Sequence, residues 1–170
     1  DPEPLKDLKP LYTVSMAENA KIRPKGELEY HFYQLGGPIP YDMWVTAVHV
    51  KSSNPRQLHH ESLMVTSKPL SAYQEMAQKK RDEDWVRKNQ DGDIPVWTLG
   101  AILTAETIEE SQFARLQVWG LGRKQPAMFP ANAALFLPKG YYLILETHYM
   151  GSGRTETEKT QLDLYGSRQS

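Results

Sequence analysis

Cysteine is absent from this chain of 170 residues. Its absence excludes disulfide bonds, zinc–thiolate sites, iron–sulfur clusters and a cysteine nucleophile together. A fold without such cross-links must be stabilised by its hydrophobic core, and a chain of this length can form a sufficient core. We therefore expect a globular domain whose chemistry depends on other side chains.

An excess of charge of either sign is also missing. Lys and Arg number 20 and Asp and Glu number 21, which leaves a net charge of −1. A near-neutral chain has no electrostatic attraction to nucleic acid or to an anionic membrane surface, so we expect no nucleic-acid partner. The sequence also lacks an apolar run of the roughly 20 residues that a membrane helix needs, and we expect no membrane insertion.

The beginning of the chain lacks both a methionine and a segment typical of a signal peptide. We interpret the chain as a mature or excised piece. Residues 1 to 26 are rich in Pro, Lys and Glu and show little periodicity, so we expect an N-terminal arm there. Residues 27 to 170 are expected to form a single domain.

Apolar and polar residues alternate in many short segments of this domain, as is typical of half-buried strands. The alternation is clear in "ELEYHFYQL" and "KTQLDLYG", and we also interpret "LHHESLMVT" and "YYLILETHYM" as strands. In "MWVTAVHVKSS", strict alternation places Trp44, Thr46 and Val48 on one face. Short strands separated by turns rich in Pro and Gly predict an all-β fold, an antiparallel β-sandwich of the jelly-roll type.

One segment has a different period. Ser71, followed three residues later by Gln74, forms a capping-box pattern, and the residues up to Gly92 are dense in helix formers. We expect one exposed helix near residues 71 to 90, inserted between strands. Its charged run "KKRDED" is interpreted as a solvated face.

Two of the five histidines, His59 and His60, are adjacent on a predicted strand. Neighbouring side chains on a strand point to opposite faces. The pair can therefore serve one site only where the strand bends, bulges or begins, or where the ring nitrogens nearest the backbone reach a metal.

His148 shares a strand face with Glu146 and Met150. If this strand lies beside the strand of His59 and His60, or opposite it, three imidazoles converge. Imidazoles without a thiolate or a dedicated carboxylate suit copper or zinc and reject calcium and magnesium.

The alternative interpretation is that these histidines are ordinary strand residues. We interpret His31 and His49 in this way, because each is flanked by typical strand residues. Met64 and Met150 could be weak thioether ligands, but methionine more often fills space in a core, and we expect packing for both.

Several ordered motifs carry a family resemblance that spans most of the chain. They are "EYHFYQL", "DMWVTAVHVKSSNPRQLHHESLMV" and "VWGLGRKQPAMFPANAALFLPKGYYLILETHYMGSG". Together they resemble the N-terminal domain of the copper type II, ascorbate-dependent monooxygenases, the family of peptidylglycine α-hydroxylating monooxygenase and dopamine β-monooxygenase. The resemblance implies one copper ion held by His59, His60 and His148, ascorbate as the reductant, and an exported protein.

In that family the copper of this domain passes an electron to a second copper, held in another domain by a His-x-His pair and a distant Met. This sequence contains no His-x-His, and it lacks the cysteines of the family disulfides. We therefore expect a single-copper electron-transfer domain that does not hydroxylate by itself. Its partner would be a second copper domain or a redox protein.

Two other functions stay open. The chain could be a copper carrier that transfers Cu(I) to a partner, or a structural or interaction β-sandwich that has lost the metal chemistry.

Overall fold

A computed structural model describes residues 5–24, 29–88, 99–100, 102–103, 116–120 and 126–170. Within these residues the chain forms eleven β-strands and one long helix. In chain order they are β1 Tyr12–Ser15, β2 Ala20–Ile22, β3 Glu29–Leu35, β4 Met43–Ser52, β5 Leu58–Thr66, α1 Leu70–Lys88, β6 Leu116–Gly120, β7 Ala127–Met128, β8 Leu135–Leu137, β9 Tyr142–Tyr149, β10 Glu156–Glu158 and β11 Thr160–Arg168.

The strands form two larger sheets and a short ribbon. Sheet I has the order β1-β11-β4-β7, with β8 also paired to β4, and sheet II has the order β3-β9-β5-β6. The ribbon joins β2 to β10. All of these pairings are antiparallel. This sandwich-like arrangement with one helix confirms the predicted all-β, antiparallel fold.

The hydrophobic core lies between sheets I and II. Its fully buried side chains come from the central strands of both, among them Val48 and Leu162 of sheet I and Leu63 and Leu145 of sheet II. β-Branched and leucine side chains suit such a surface, because they pack on a pleated face that excludes water. Burial of this apolar area supplies the main driving force for folding.

A bulge in β4 makes the predicted strict alternation of that strand wrong. Ala47 pairs with Tyr165 and Val45 pairs with Gly166, so Thr46 is an extra residue on β4. Because of this extra residue, the side chains that face the core have odd numbers before the bulge and even numbers after it. Val45 and Val48 therefore both face the core, and each is 0% exposed. Trp44 therefore lies on the outer side, 42% exposed, instead of sharing a face with Val48.

Helix α1 confirms the expected insertion between strands. It spans Leu70–Lys88, and residues 89 and 90 of the expected range lie outside the described residues. It begins one residue before Ser71, and its first N–H group, that of Leu70, donates to Gln34 Oε1 of β3 at 3.0 Å. Across the described residues, no helix has the length and apolar character needed to cross a membrane.

The apolar side of α1 covers part of the outer face of sheet II. Tyr73 and Ala77 of the helix are buried against Met64 of β5 and Ile144 of β9. Sheet II is thus covered on one face by sheet I and on part of the other face by the helix. The remainder of that outer face carries the histidines.

The first strands lie within the predicted N-terminal arm. β1 pairs with β11 at the edge of sheet I, and β2 pairs with β10 in the ribbon. Val14 and Ile22 of these strands are buried in the main core cluster.

We predict that Gly166→Ala will destabilise the fold by about 2–3 kcal/mol, in the range of overpacked core substitutions. A methyl group at Gly166 would collide with the carbonyl oxygen of Trp44, and backbone atoms cannot move aside as a side-chain tip can. The free energy of unfolding, measured by urea titration, tests this.

Gly37→Ala is the matched control, because Gly37 is exposed and a methyl group there meets nothing within 4 Å. We expect it to change the free energy of unfolding by less than about 0.5 kcal/mol. Equal losses in the two variants would contradict the bulge geometry.

Candidate metal centre

A bulge in β5 places the adjacent histidines. Leu58 pairs with Tyr149 and His60 pairs with His148, so two residues of β5 span one step of β9. His59 is the extra residue. A bulge interrupts the alternation of faces along a strand. Leu58 before the bulge and Leu63 after it can therefore both face the core, although strict alternation would place them on opposite faces.

The structure brings His59, His60 and His148 together. His60 and His148 are direct cross-strand neighbours, the arrangement in which side chains on one sheet face interact most closely. Their ring centroids lie 5.7 Å apart, and those of His59 and His60 lie 4.0 Å apart with the rings nearly perpendicular, at 88°. One ring nitrogen from each histidine lies within 4.8 Å of the other two.

These three residues fit a bound metal ion. Three nitrogens bound to one first-row metal at about 2.0–2.1 Å lie about 3.6 Å apart in a trigonal arrangement, so ring nitrogens within 4.8 Å of one another need to close by up to about 1.2 Å. Among the described residues, His59 Nδ1 is buried and has no hydrogen-bond partner. A buried polar atom without a partner costs free energy unless something binds it, and a metal ion would.

Glu146 contacts the third histidine. Its Oε1 lies 3.3 Å from His148 Nε2, and the residue is 4% exposed. A neutral imidazole that donates Nε2–H to a carboxylate carries its lone pair on Nδ1. Carboxylates in this position commonly orient histidine ligands and raise their basicity. Sequence reasoning placed Glu146 on the face of His148 but gave it no role.

The environment keeps His60 neutral. Burial lowers the pKa of His60, and the neighbouring imidazoles of His59 and His148 lower it further. Metals bind the neutral ring, because its lone pair must be available. The ring that lies between the other two is therefore in the state that coordination requires at neutral pH.

On the β6 side, the residue paired with His60 has no side chain of its own, and the amide of Gln117 lies against it. This residue is Gly120, where an added Cβ would lie 3.7 Å from His60 Cδ2 and 2.9 Å from Gln117 Nε2. The three histidines are half-buried. The imidazoles can therefore be approached from the outer face of sheet II.

The other two histidines lie elsewhere. His31 of β3 stacks on Tyr33, with ring planes 4° apart, and meets Tyr149 edge-on. His49 of β4 belongs to sheet I, where it pairs with Asp163. Neither belongs to the three-histidine group.

The two methionines differ in their surroundings. Met64 is 1% exposed and packs in the cluster beneath α1, as expected for a core residue. Met150 follows β9 and is 48% exposed, so the packing expected for it is wrong. Neither is needed to complete the three-histidine group.

A buried carboxyl pair adjoins the site, and sequence reasoning missed it. Thr160 Oγ1 lies 2.5 Å from Glu61 Oε1 and 2.7 Å from Glu158 Oε1. Ser52 and Tyr149 each donate a hydroxyl to Glu158 at 2.7 Å. Both glutamates are 0% exposed.

The proton count of this network requires a neutral carboxyl group. The single hydroxyl proton of Thr160 can serve only one of the two carboxyl oxygens, so the other contact needs a proton from a glutamate. Burial raises the pKa of Glu61 to about 8, and the carboxylate of Glu158 acts in the same direction. Protonated Glu61 therefore donates to Thr160, which donates to Glu158. The only signal in the sequence was an acidic residue next to the histidine pair in an otherwise apolar strand.

Comparison of the chain with models of protein families, with curated proteins and with solved structures gives no match. The geometry of the site and the sequence resemblance are therefore the observations that bear on function.

We predict that the metal-free protein loses about 1 kcal/mol of stability between about pH 7 and pH 8 because of Glu61. Its folded-state pKa, about 8, exceeds the ordinary value of 4.5, so the folded chain binds the extra proton and stability falls as the pH rises. His60, with a lowered pKa, adds only a small slope of the opposite sign above pH 7, because the unfolded imidazole, with an ordinary pKa of 6.5, still binds a fraction of a proton there.

Glu61→Gln is the matched variant, because an amide also donates to Thr160 but does not titrate. We expect its stability, measured by urea titration, to be flat over the same interval. A parent protein with an equally flat profile would show that Glu61 is not protonated in the folded state.

Proposed function

We propose that the chain binds one copper ion through His59, His60 and His148 and exchanges single electrons through it. The observation that supports this best is the convergence of three imidazoles, with one ring nitrogen of each within 4.8 Å of the other two. When bound, copper supplies one-electron chemistry, cycling between Cu(II) and Cu(I).

The donor set favours copper. The group consists of imidazoles alone, without a thiolate or a carboxylate, and copper stands above zinc in the affinity order of such sites. Three nitrogen donors suit the low coordination number of Cu(I), and the half-burial of the histidines leaves the site accessible to water when the ion is Cu(II). The family resemblance of the sequence points to the same metal.

The residues around the site divide the remaining tasks. Glu146 orients His148 through Nε2, and the lowered pKa of His60 keeps its ring ready to coordinate. Half-burial limits access by water and still lets a donor approach. We propose ascorbate as the reductant, a second copper domain or a redox protein as the electron acceptor, and an exported location. Each of these follows from the resemblance.

We predict that the protein retains about one equivalent of copper and that His60→Ala and His148→Ala each abolish most of the affinity. Removal of one of three ligands leaves two, too few to hold the ion through dialysis. Elemental analysis after dialysis measures the retained copper.

His49→Ala is the matched control, since it removes a histidine from the opposite sheet. We expect it to bind copper like the parent. No retained copper in the parent, or parent-like binding by both site variants, would contradict the assignment.

We also predict that ascorbate reduces the copper-loaded chain, seen as loss of the Cu(II) spin-resonance signal, but that no substrate is hydroxylated. The chain lacks the His-x-His pair of the second copper site in the resembled family. Glycine-extended peptides and phenethylamines with oxygen serve as the substrate panel.

Three results would count against this function. Hydroxylated product coupled to ascorbate consumption would refute the proposal that this chain transfers electrons without hydroxylating a substrate by itself. A copper ion that ascorbate cannot reduce would refute electron transfer. Rapid transfer of Cu(I) to a chelating acceptor protein, without redox turnover, would favour the carrier instead.

A further inference from the structure

The turns that join β4 to β5 and β9 to β10 line an open surface pocket of about 560 Å³. This volume falls in the range of small-molecule sites and is far larger than an inorganic ion needs. Apart from Gly153, the lining side chains are polar: Asn54, Arg56, Gln57, Ser152, Arg154 and Glu156.

The two walls of the pocket are fixed to each other. Asn54 Nδ2 donates to Glu156 Oε2 at 2.9 Å, and the backbone N–H of Met150 donates to the carbonyl oxygen of Gln57, also at 2.9 Å. The N–H of Asn54 donates to Ser52 Oγ at 3.1 Å, which holds the first turn. A pocket whose walls are already ordered loses less entropy when it binds a ligand.

The charges in the pocket leave one cation uncompensated. Arg154 Nε donates to Glu156 Oε1 at 2.9 Å, so both oxygens of this carboxylate are bonded. Arg56 is exposed, and the part of the chain that the structure describes gives it no ion pair. Two guanidinium groups and one carboxylate sum to a single positive charge.

The geometry points to a binding site for a small polyhydroxy monocarboxylate, of the sugar-acid type. The planar fork of Arg56 matches a carboxylate bidentately. The Gln57 amide offers donors and an acceptor for hydroxyl groups along the ligand, and the Ser152 hydroxyl, which donates to the carbonyl oxygen of Arg154 at 3.5 Å, offers an acceptor. A polar lining disfavours an apolar ligand, and one net charge matches a monoanion. The site does not depend on the proposed copper ion.

Titration of the metal-free chain with gluconate, followed by amide and arginine Nε chemical shifts in NMR at constant ionic strength, tests the assignment. We expect saturable shifts confined to the two turns. Arg56→Gln should weaken gluconate binding at least tenfold. Sorbitol, the uncharged polyol of the same length, should cause no saturable shift, and inorganic phosphate should bind at least tenfold more weakly than gluconate.

Lys79→Gln is the matched control, because it removes one exposed positive charge from α1, away from the pocket. We expect it to bind gluconate like the parent. The assignment is overturned by an absence of saturable shifts with gluconate, by equal losses in the Arg56 and Lys79 variants, or by sorbitol or phosphate binding as tightly as gluconate. Circular dichroism of each variant confirms that it is folded.

Discussion

The extra residue at His59 is the constraint on which the histidine site depends. In a regular strand Leu58 and His60 would share a face, and either the leucine would leave the core or the imidazole would enter it. The bulge removes this conflict, because Leu58 stays fully buried while His60 turns outward opposite His148. A single inserted residue thus lets one strand serve the core and the candidate metal centre together.

The same strand also ties the site to a buried polar network. Glu61 follows His60 and points inward to Thr160, where a shared hydroxyl links it to Glu158. Two buried carboxyls are tolerable only if one stays neutral, and the proton on Glu61 lowers the cost of its Oε2, which is buried without a hydrogen-bond partner among the described residues. Tyr149 donates to Glu158 from the residue after His148, so both histidine-bearing strands contact the network. The interior polar groups therefore restrain the backbone on both sides of the site.

Much of the architecture followed from local patterns. Period-two alternation predicted the strands and their antiparallel class, and a dense run of helix formers predicted α1. One failure arose because alternation cannot register an inserted residue. Thr46 displaced Trp44 from its expected face in β4. At His59 the bulge was one of several arrangements by which adjacent histidines could serve one site, and the structure shows which of them occurs.

Contacts between distant residues were beyond the sequence. The cap of α1 is Gln34, from a strand 36 residues earlier, so no capping pattern near Ser71 could indicate it. Likewise, the sequence allowed the strand of His148 to lie either beside the strand of His59 and His60 or opposite it. The structure shows that these strands, β9 and β5, are neighbours in one sheet. The carboxyl network joins Glu61 and Thr160, which are 99 positions apart in sequence. They meet only because sheet II, which carries Glu61, packs against sheet I, which carries Thr160.

The turns at one end of the sandwich position the histidines more directly than the core does. His59 lies two residues after Gln57, whose carbonyl oxygen accepts from the N–H of Met150, two residues after His148. Asn54 and Glu156 join the same two turns a second time. A bulge loosens the local ladder, so these polar contacts supply restraint at the point where sheet pairing is weakest. Because the polar pocket is built from the same turns, a ligand held there would stiffen the strand ends that carry the imidazoles.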